Sequence, residues 1–144
     1  MLHKHTSRVS PADVLRAHGF RVTTGRTKLL ELLARAGTPL SIQKLHTLLR
    51  GTQDQATLYR TLTDLAAAGI VQRADMNTGT AHFEYTPGRE HHHHVVCTDC
   101  GTVEDIDECA LDELEHKITK RAKKFVHISS HNLEFFGQCV GCSR

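Results

Sequence analysis

The sequence predicts an α+β protein in two parts, an N-terminal winged helix-turn-helix followed by a small α/β domain. Helix signals fill residues 10–68, and two short strand signals follow across a turn in residues 70–85. The net charge is also divided, with a balance of +7 in residues 1–74 and −3 in residues 89–144. The acidic part holds all five cysteines and seven of the twelve histidines. These observations indicate two parts with different tasks.

Four helices are predicted in the first part because start and stop signals frame its apolar stretches. Ser10, Ser41 and Asp54 each stand before such a stretch, where a short polar side chain caps a helix. Gly37 and Gly69 stand where the second and fourth stretches end. The four predicted helices are residues 11–18, 25–35, 42–50 and 55–68.

Two short runs at residues 70–73 and 80–85 flank an Asn/Gly turn and predict a β-hairpin. Helices followed by a small hairpin form a winged helix-turn-helix, in which the fourth helix would enter the major groove of DNA. Tyr59 could then touch a thymine methyl, and Arg60 could reach guanine or phosphate. The predicted DNA-contacting residues are Arg21, Arg26, Gln55, Thr57, Tyr59 and Arg60.

The division of charge supports this interpretation. Residues 1–74 carry eleven Lys and Arg against four Asp and Glu, which suits a polyanionic partner. Residues 89–144 carry seven Lys and Arg against ten Asp and Glu, which suits cation binding. Ordinary solvated surface charge is the alternative explanation for both parts.

No apolar run approaches the ~20 residues of a membrane span. No secretory segment is recognisable near Met1, so we expect a cytoplasmic protein without a membrane partner.

Two Cys-x-x-Cys pairs, Cys97 with Cys100 and Cys139 with Cys142, carry the strongest chemical signal. The pairs are separated by 38 residues, and two such pairs match a tetrahedral four-thiolate zinc site. The ion would join distant parts of the chain and would stabilise a domain with a small core. Four unrelated thiols or two disulfides are the alternative, but a reducing compartment disfavours disulfides. We therefore expect a structural Zn(II) ion.

The second part is predicted to be a small sheet with one helix. Leu111, Leu114 and Ile118 fall at helical spacing and would face inward. Such a small sheet leaves edges or faces that need cover, which a partner subunit would provide. The predicted elements are strands at residues 103–106, 125–130 and 133–137 and a helix at residues 109–123.

Four consecutive histidines, His91 to His94, lead directly into the first cysteine pair. If they lie on a strand, successive side chains point to opposite faces, so His92 and His94 separate from His91 and His93. One strand could therefore supply ligands to two metal sites. His82 and Glu84 likewise share one face of the predicted hairpin.

Several motifs occur together along the chain: Gly19-Phe-Arg-Val-Thr, Arg26, Ala56-Thr-Leu-Tyr-Arg-Thr-Leu62, Leu65-Ala-Ala-Ala-Gly-Ile-Val71, His82-Phe-Glu84, the histidine run into Cys97, and both cysteine pairs. In this combination the sequence resembles the ferric uptake regulator family of metal-sensing bacterial repressors, over nearly its whole length. The resemblance implies a winged-helix DNA-binding domain at residues 1–86 and a metal-binding dimerisation domain at residues 87–144. It also implies a homodimer that binds operator DNA and represses metal-homeostasis genes when metal is bound.

The resemblance further implies two sites with imidazole and carboxylate ligands, beyond the structural zinc. Such ligands suit Fe(II) or Zn(II), with Mn(II) as a further alternative. Pro39 stands where many members carry a regulatory histidine, so His82 would replace that ligand or the site would be tuned differently. His93 stands where many members carry Asp, and Cys109 is expected to be an inert core thiol. The implied regulatory ligands are His82, Glu84, His92, His94 and Asp105. The implied second site is His91, His93, Asp112 and His131.

Other function classes find less support in the sequence. A zinc hydrolase or deaminase needs an open coordination position beside a glutamate acid/base, and no His-Glu-x-x-His motif or deaminase-ordered motif occurs. A thiol-disulfide oxidoreductase would need neither a second cysteine pair nor a basic helix-turn-helix. The alternative that the chain is a peroxide-sensing member of the same family stays open. We therefore expect a regulator rather than an enzyme, with no small-molecule substrate.

Overall fold

The computed structural model describes residues 9–107, 109, 111–129 and 131–144, and for Asp112 the backbone alone. The described residues form two units, of which the first ends at Arg89 and the second begins at Glu90. The predicted division after residue 86 falls close to this point.

Four capped helices build the N-terminal unit. Each cap residue accepts a hydrogen bond, through its side-chain oxygen, from the backbone N–H three residues further on. Three of these caps were predicted, and Thr23 is the fourth. Gly37 ends the second helix in the left-handed region, with φ of 64°. The helices are α1 (Pro11–Ala17), α2 (Thr24–Ala36), α3 (Ile42–Leu48) and α4 (Gln55–Ala67).

Leucines from all four helices pack into one core. Fully burying a leucine side chain stabilises the fold by about 1.5–3 kcal/mol, so this cluster dominates the stability of the unit. Leu48 and Leu49 both fall at helical spacing with Leu45, but Leu49 is buried whereas Leu48 is 41% exposed. The leucines that are at most 1% exposed are Leu15, Leu29, Leu30, Leu33, Leu45, Leu58, Leu62 and Leu65.

The predicted hairpin is present and belongs to a three-stranded sheet. Strands β2 (Val71–Asp75) and β3 (Ala81–Tyr85) pair antiparallel, and Asn77 and Gly79 in the connecting turn have positive φ. A two-residue strand, β1 (Leu40–Ser41), pairs with the other edge of β3. This strand was not predicted because two residues show no alternation. With the helices, the sheet completes the winged-helix arrangement.

The C-terminal unit holds a second three-stranded sheet, with β4 (His93–Cys97) at its centre. Strand β5 (Val103–Ile106) pairs antiparallel with β4, and β6 (Glu134–Gly137) pairs parallel with it. Helix α5 (Asp112–Arg121) lies between them in sequence and begins later than the predicted residue 109. The predicted strand at residues 125–130 is wrong for its described part, because residues 125–129 form no strand and Val126 is 93% exposed. Ser130 lies outside the described residues.

Helix α5 leaves apolar side chains uncovered. Leu114 and Ile118 were predicted to face inward, but they are 47% and 43% exposed in the single chain. Among the described residues beyond Glu90, the buried hydrophobic side chains are Val96 and Cys97. The C-terminal unit therefore has little core of its own. Of the helices in the described ranges, none has the length and hydrophobicity needed to cross a membrane.

Candidate metal centres and nucleic-acid surface

The four cysteines of the two pairs converge in the C-terminal unit, with all four Sγ atoms within 4.8 Å of one another. The parallel pairing of β4 with β6 brings them together, because it places Cys97 beside Gly137. Each cysteine turn then leaves the sheet at the same end. Cys100 Sγ lies 3.7 Å from Cys139 Sγ. Four converging sulfurs in two tight turns fit a tetrahedral zinc ion.

Backbone N–H groups prepare Cys97 to bind a metal. The N–H of Cys139 donates to Cys97 Sγ at 3.3 Å. The backbone of Cys100 first, and then that of Cys139 and Asp99, lowers the pKa of Cys97 to about 6. Hydrogen bonding to the Cys139 sulfur raises the pKa of Cys142. The thiolate is the form that ligates metal, and a divalent cation would relieve the repulsion among crowded sulfurs.

A second group in the same unit joins three histidines and Cys109. The Nε2 atom of His91 lies 3.2 Å from that of His93 and 3.0 Å from that of His131. The Cys109 sulfur lies 3.3 Å from His93 Nε2 and 3.6 Å from His131 Nε2. The expectation that Cys109 is an inert core thiol is therefore corrected. The predicted ligand Asp112 has a side chain outside the described residues.

Contacts behind the rings orient two of these histidines. His93 Nδ1 lies 3.1 Å from the Leu133 carbonyl oxygen, and His131 Nδ1 contacts the Glu115 carboxylate. Burial, followed by the nearby His93 and His131, lowers the pKa of His91 and favours its neutral, metal-binding form. Neither supporting group was predicted. A backbone carbonyl has no sequence signal, and Glu115 is one of several acidic residues around the start of α5.

The other two histidines form a separate pair. The rings of His92 and His94 are perpendicular, with centroids 5.0 Å apart. Asp105 lies opposite His94 in the β4–β5 register, and its Oδ1 is 3.8 Å from His94 Nε2. On the other side, Glu134 Oε1 lies 3.9 Å from His94 Nδ1. Glu134 was not predicted because its position depends on the parallel pairing of β6.

The remaining predicted regulatory ligands, His82 and Glu84, lie on β3 of the N-terminal unit. Glu84 is buried, and its Oε2 accepts a hydrogen bond from Arg89 Nη1 at 3.0 Å. His82 Nδ1 lies 3.0 Å from the Thr80 carbonyl oxygen. The predicted hinge site takes its ligands from both units, and it stays a prediction.

The start of α4 presents an exposed polar face in the basic unit. Gln55, Tyr59 and Arg60 are exposed, as the DNA-reading prediction requires. Thr57 takes part in the helix cap, since its hydroxyl donates to Asp54 Oδ2 at 2.9 Å. Arg73 on β2 donates from Nη1 to the Tyr59 hydroxyl at 3.2 Å, which adds a cation that sequence reasoning missed.

Arg21 and Arg26 flank the start of α2. Arg21 is exposed. Arg26 Nη1 donates to the Arg21 carbonyl oxygen at 2.9 Å, and its guanidinium lies 5.5 Å from the centre of the Phe20 ring. The Arg26 side chain therefore holds the segment before α2 in place through these contacts. Arg21 is the more accessible cation of the two.

The chain is similar to known proteins both in sequence and in fold. Residues 17–136 match the ferric uptake regulator family. The chain is 31% identical over 140 residues to the ferric uptake regulation protein of Bordetella parapertussis, covering 94% of this chain and 99% of that one. The Vibrio cholerae ferric uptake regulator has a similar structure, with a TM-score of 0.68, 31% identity, and coverage of 88% and 97%. The Francisella tularensis regulator with iron gives a TM-score of 0.70 at 25% identity, with coverage of 88% and 96%.

Proposed function

Because this chain belongs to the ferric uptake regulator family, we propose that it is a metal-dependent repressor that binds operator DNA as a homodimer. The family consists of transcription regulators of metal homeostasis, not of enzymes. The observation that carries the proposal is the exposed polar face of α4, which stands in a winged helix within the basic part of the chain. The metal-capable groups of the C-terminal unit supply the link to metal.

The first turns of α4 would read the bases. Gln55, Tyr59 and Arg60 are exposed there, while the leucines of the same helix are buried. An arginine pairs best with guanine in the major groove, and an apolar ring edge suits a thymine methyl. Arg21 would contact phosphate, which positions the protein without reading sequence. Arg73, next to Tyr59, adds a positive charge at the wing.

The sensor would be the hinge site formed by His82, Glu84, His92, His94 and Asp105. Its proposed ligands come from both sides of the predicted hinge, so bound metal would favour one arrangement of the two domains. If only that arrangement allows both recognition helices of a dimer to meet DNA, metal binding and operator binding become thermodynamically coupled. The support within the C-terminal unit is the contact of His94 with the Asp105 and Glu134 carboxylates.

Nitrogen and oxygen ligands without a thiolate suit Fe(II), Zn(II) or Mn(II) at this sensor. Zn(II) binds such ligands more tightly than Fe(II), so metal availability in the cell would contribute to selectivity. Five ligands favour six-coordinate Fe(II), whereas three histidines with Glu84 would make a zinc tetrahedron. We propose Fe(II) as the sensed metal, with Zn(II) as the alternative. The related Francisella structure contains iron.

A second copy of the chain is the proposed partner of the C-terminal unit. The exposed side chains of Leu114 and Ile118 on α5 are joined by Phe135 and Phe136 on β6, which are 47% and 43% exposed. Large exposed apolar side chains concentrated in one small unit are typical of a protein–protein interface. The described part of this unit buries few hydrophobic residues alone, so dimerisation would supply the missing core.

Selection of binding sites from a pool of random-sequence DNA duplexes tests the proposal. The full-length protein is incubated with the pool in the presence of Fe(II) under anaerobic conditions, in the presence of Zn(II) or Mn(II), or with a chelator that spares the structural zinc. We expect enrichment of one sequence only with the sensed metal. We also expect that sequence to be approximately palindromic, because a two-fold symmetric dimer reads two half-sites. Equal enrichment with the chelator, or enrichment of no sequence at all, would contradict the proposal.

A further inference from the structure

The group of His91, His93, Cys109 and His131 has the spacing of a closed tetrahedral metal site. In a tetrahedron with ordinary zinc bond lengths, two nitrogens are about 3.3 Å apart, and a nitrogen and a sulfur are about 3.6 Å apart. The three Nε2 atoms are separated by 3.2, 3.0 and 3.5 Å. Cys109 Sγ lies 3.3 Å from the Nε2 atom of His93 and 3.6 Å from that of His131. All four donor atoms lie within 4.8 Å of one another, and these five separations are close to those that one ion requires.

The hydrogen bonds behind the rings fix where the lone pairs point. A carbonyl oxygen only accepts, so His93 donates through Nδ1–H to Leu133, at 3.1 Å, and its Nε2 carries a lone pair. His131 contacts the Glu115 carboxylate through Nδ1, so in its neutral form it donates there and has the same arrangement at its Nε2. Two lone pairs 3.5 Å apart repel each other unless a cation lies between them. Carboxylate and carbonyl partners behind metal-binding histidines are the usual second layer of such sites.

The family resemblance implies a metal site here with Asp112 as the carboxylate ligand. We propose that in this chain Cys109 takes that place, so that the site has three nitrogens and one thiolate and holds zinc. The thiolate distinguishes this site from one built of histidines and carboxylates, because it favours zinc over the harder ions Fe(II) and Mn(II). Four protein ligands also close the coordination sphere, which is typical of structural rather than catalytic zinc.

The position of the site in the fold indicates what it does. His93 belongs to β4, while Cys109 lies before α5 and His131 after it, both outside the helices and strands. An ion held by them would fasten these segments to the sheet. The described residues of this unit bury few hydrophobic side chains, so such an ion would be a substantial source of folding free energy. The bound ion would stabilise the fold of this unit whether or not the chain binds DNA.

Cobalt substitution tests the proposal on the full-length protein. The protein is prepared with one zinc per chain, confirmed by metal analysis, and Co(II) is then titrated into it. We expect a second metal with a thiolate-to-cobalt charge-transfer band and the intense visible bands of tetrahedral Co(II). The proposed sensor ligands include no thiolate, so that band reports Cys109 as long as the zinc count stays at one. Saturation with Co(II) that produces no thiolate-to-cobalt band at any stoichiometry, while the zinc count stays at one, would overturn the proposal.

Variants of Cys109 make the assignment specific. In Cys109→Ala the charge-transfer band of the second metal should disappear, and its affinity should fall by at least the 10- to 100-fold seen for loss of a mere supporting residue. Cys109→Asp restores a ligand without sulfur, so it should recover metal binding, without the band and with weaker preference for zinc over Mn(II). His127→Ala removes an exposed histidine outside the group and should change nothing. Unchanged affinity and spectrum in Cys109→Ala would overturn the proposal, and the parent spectrum decides the case if that variant fails to fold.

Discussion

Cys97 is the residue at which the sheet, the first cysteine turn and the proposed structural zinc meet. It ends β4, it is buried, and it accepts a hydrogen bond at Sγ from the backbone of Cys139. Its depressed pKa, about 6, means that little free energy is needed to form the thiolate near neutral pH. Removal of this sulfur should therefore affect the whole C-terminal unit.

We predict that Cys97→Ser or Cys142→Ser loses the structural zinc and severely lowers thermal stability. The reason is that zinc binding supplies folding free energy in a unit with little hydrophobic core. Metal analysis and thermal unfolding measure the two effects. Val140→Ala is the matched control, because Val140 lies in the same turn, is 86% exposed and ligates nothing. A serine variant that keeps this zinc and unfolds at the parent temperature would show that the assignment is wrong.

Tyr59 is the second residue whose replacement gives a specific prediction, in this case for DNA sequence preference. Its ring packs edge-on against Phe83, with centroids 6.5 Å apart, and its hydroxyl accepts from Arg73. We predict that Tyr59→Ala relaxes preference at one base position by about 1–3 kcal/mol, as expected for loss of one direct base contact. Binding of selected duplexes with single-base changes measures this. Thr63→Ala, exposed further along α4, should leave the preference unchanged. An unaltered preference in Tyr59→Ala would remove it from the reading surface.

The individual site residues that could be predicted from the sequence are those whose role shows in the spacing of nearby residues. The two cysteine pairs show their spacing directly in the sequence, and the histidine run shows its alternation. Cys109 and Glu134 carry no such signal, because their neighbours are set by the path through α5 and by the parallel pairing of β6 with β4. Long-range register of this kind cannot be read from a single sequence.

Among the helices and strands, α4 is stabilised by the hydrogen bonds that Asp54 accepts at its first turn. Asp54 accepts hydrogen bonds from the Thr57 N–H at 2.8 Å and from the Thr57 hydroxyl at 2.9 Å. The Thr57 backbone first, and then its side chain, holds the pKa of Asp54 below its ordinary value of 3.8. The ionised cap therefore stabilises the folded state fully above pH 3.8, and this contribution is lost as the pH falls through the lowered folded pKa.

We predict that Asp54→Asn removes this pH dependence. Asparagine caps a helix about as well but does not titrate. The stability of the parent relative to the variant should therefore decline as the pH is lowered below 3.8, because only the parent loses an ionised cap. Denaturant unfolding of both proteins over a pH series measures the difference, and effects common to both cancel. A difference that stays constant across the series would contradict the prediction.

The helices were predictable because caps, leucine stripes and terminal glycines agree along short stretches of chain. The exceptions have physical reasons. Strand β1 is too short to show alternation. The stretch at residues 125–129 reads as a strand, but it belongs to neither sheet, because an apolar run shows only that a strand could form and not which strand would pair with it. Leu114 and Ile118 show the correct helical spacing, yet the pattern does not say whether a residue of the same chain or of another one covers them.

The whole molecule consists of a basic winged-helix unit and an acidic unit with metal-capable groups. We propose that metal at His82, Glu84, His92, His94 and Asp105 controls DNA binding. The other proposed metals would have a different task, since the four-cysteine zinc and the ion at the Cys109 site would stabilise the C-terminal unit. This separation makes the claim testable, because loss of a sensor ligand should leave the fold and the structural zinc intact.

Titration of metal into parent and His92→Ala protein, in the presence of a labelled duplex from the selection, tests this claim most directly. The parent should gain DNA affinity by about 5–150-fold, the usual range for coupled sites. His92→Ala and Glu84→Ala should show no metal-dependent gain, while His91→Ala should be affected more weakly. His127→Ala, an exposed histidine outside every proposed site, should behave as the parent does. Metal control through this site is contradicted if His92→Ala protein, with its structural zinc in place, gains DNA affinity with the same metal dependence as the parent.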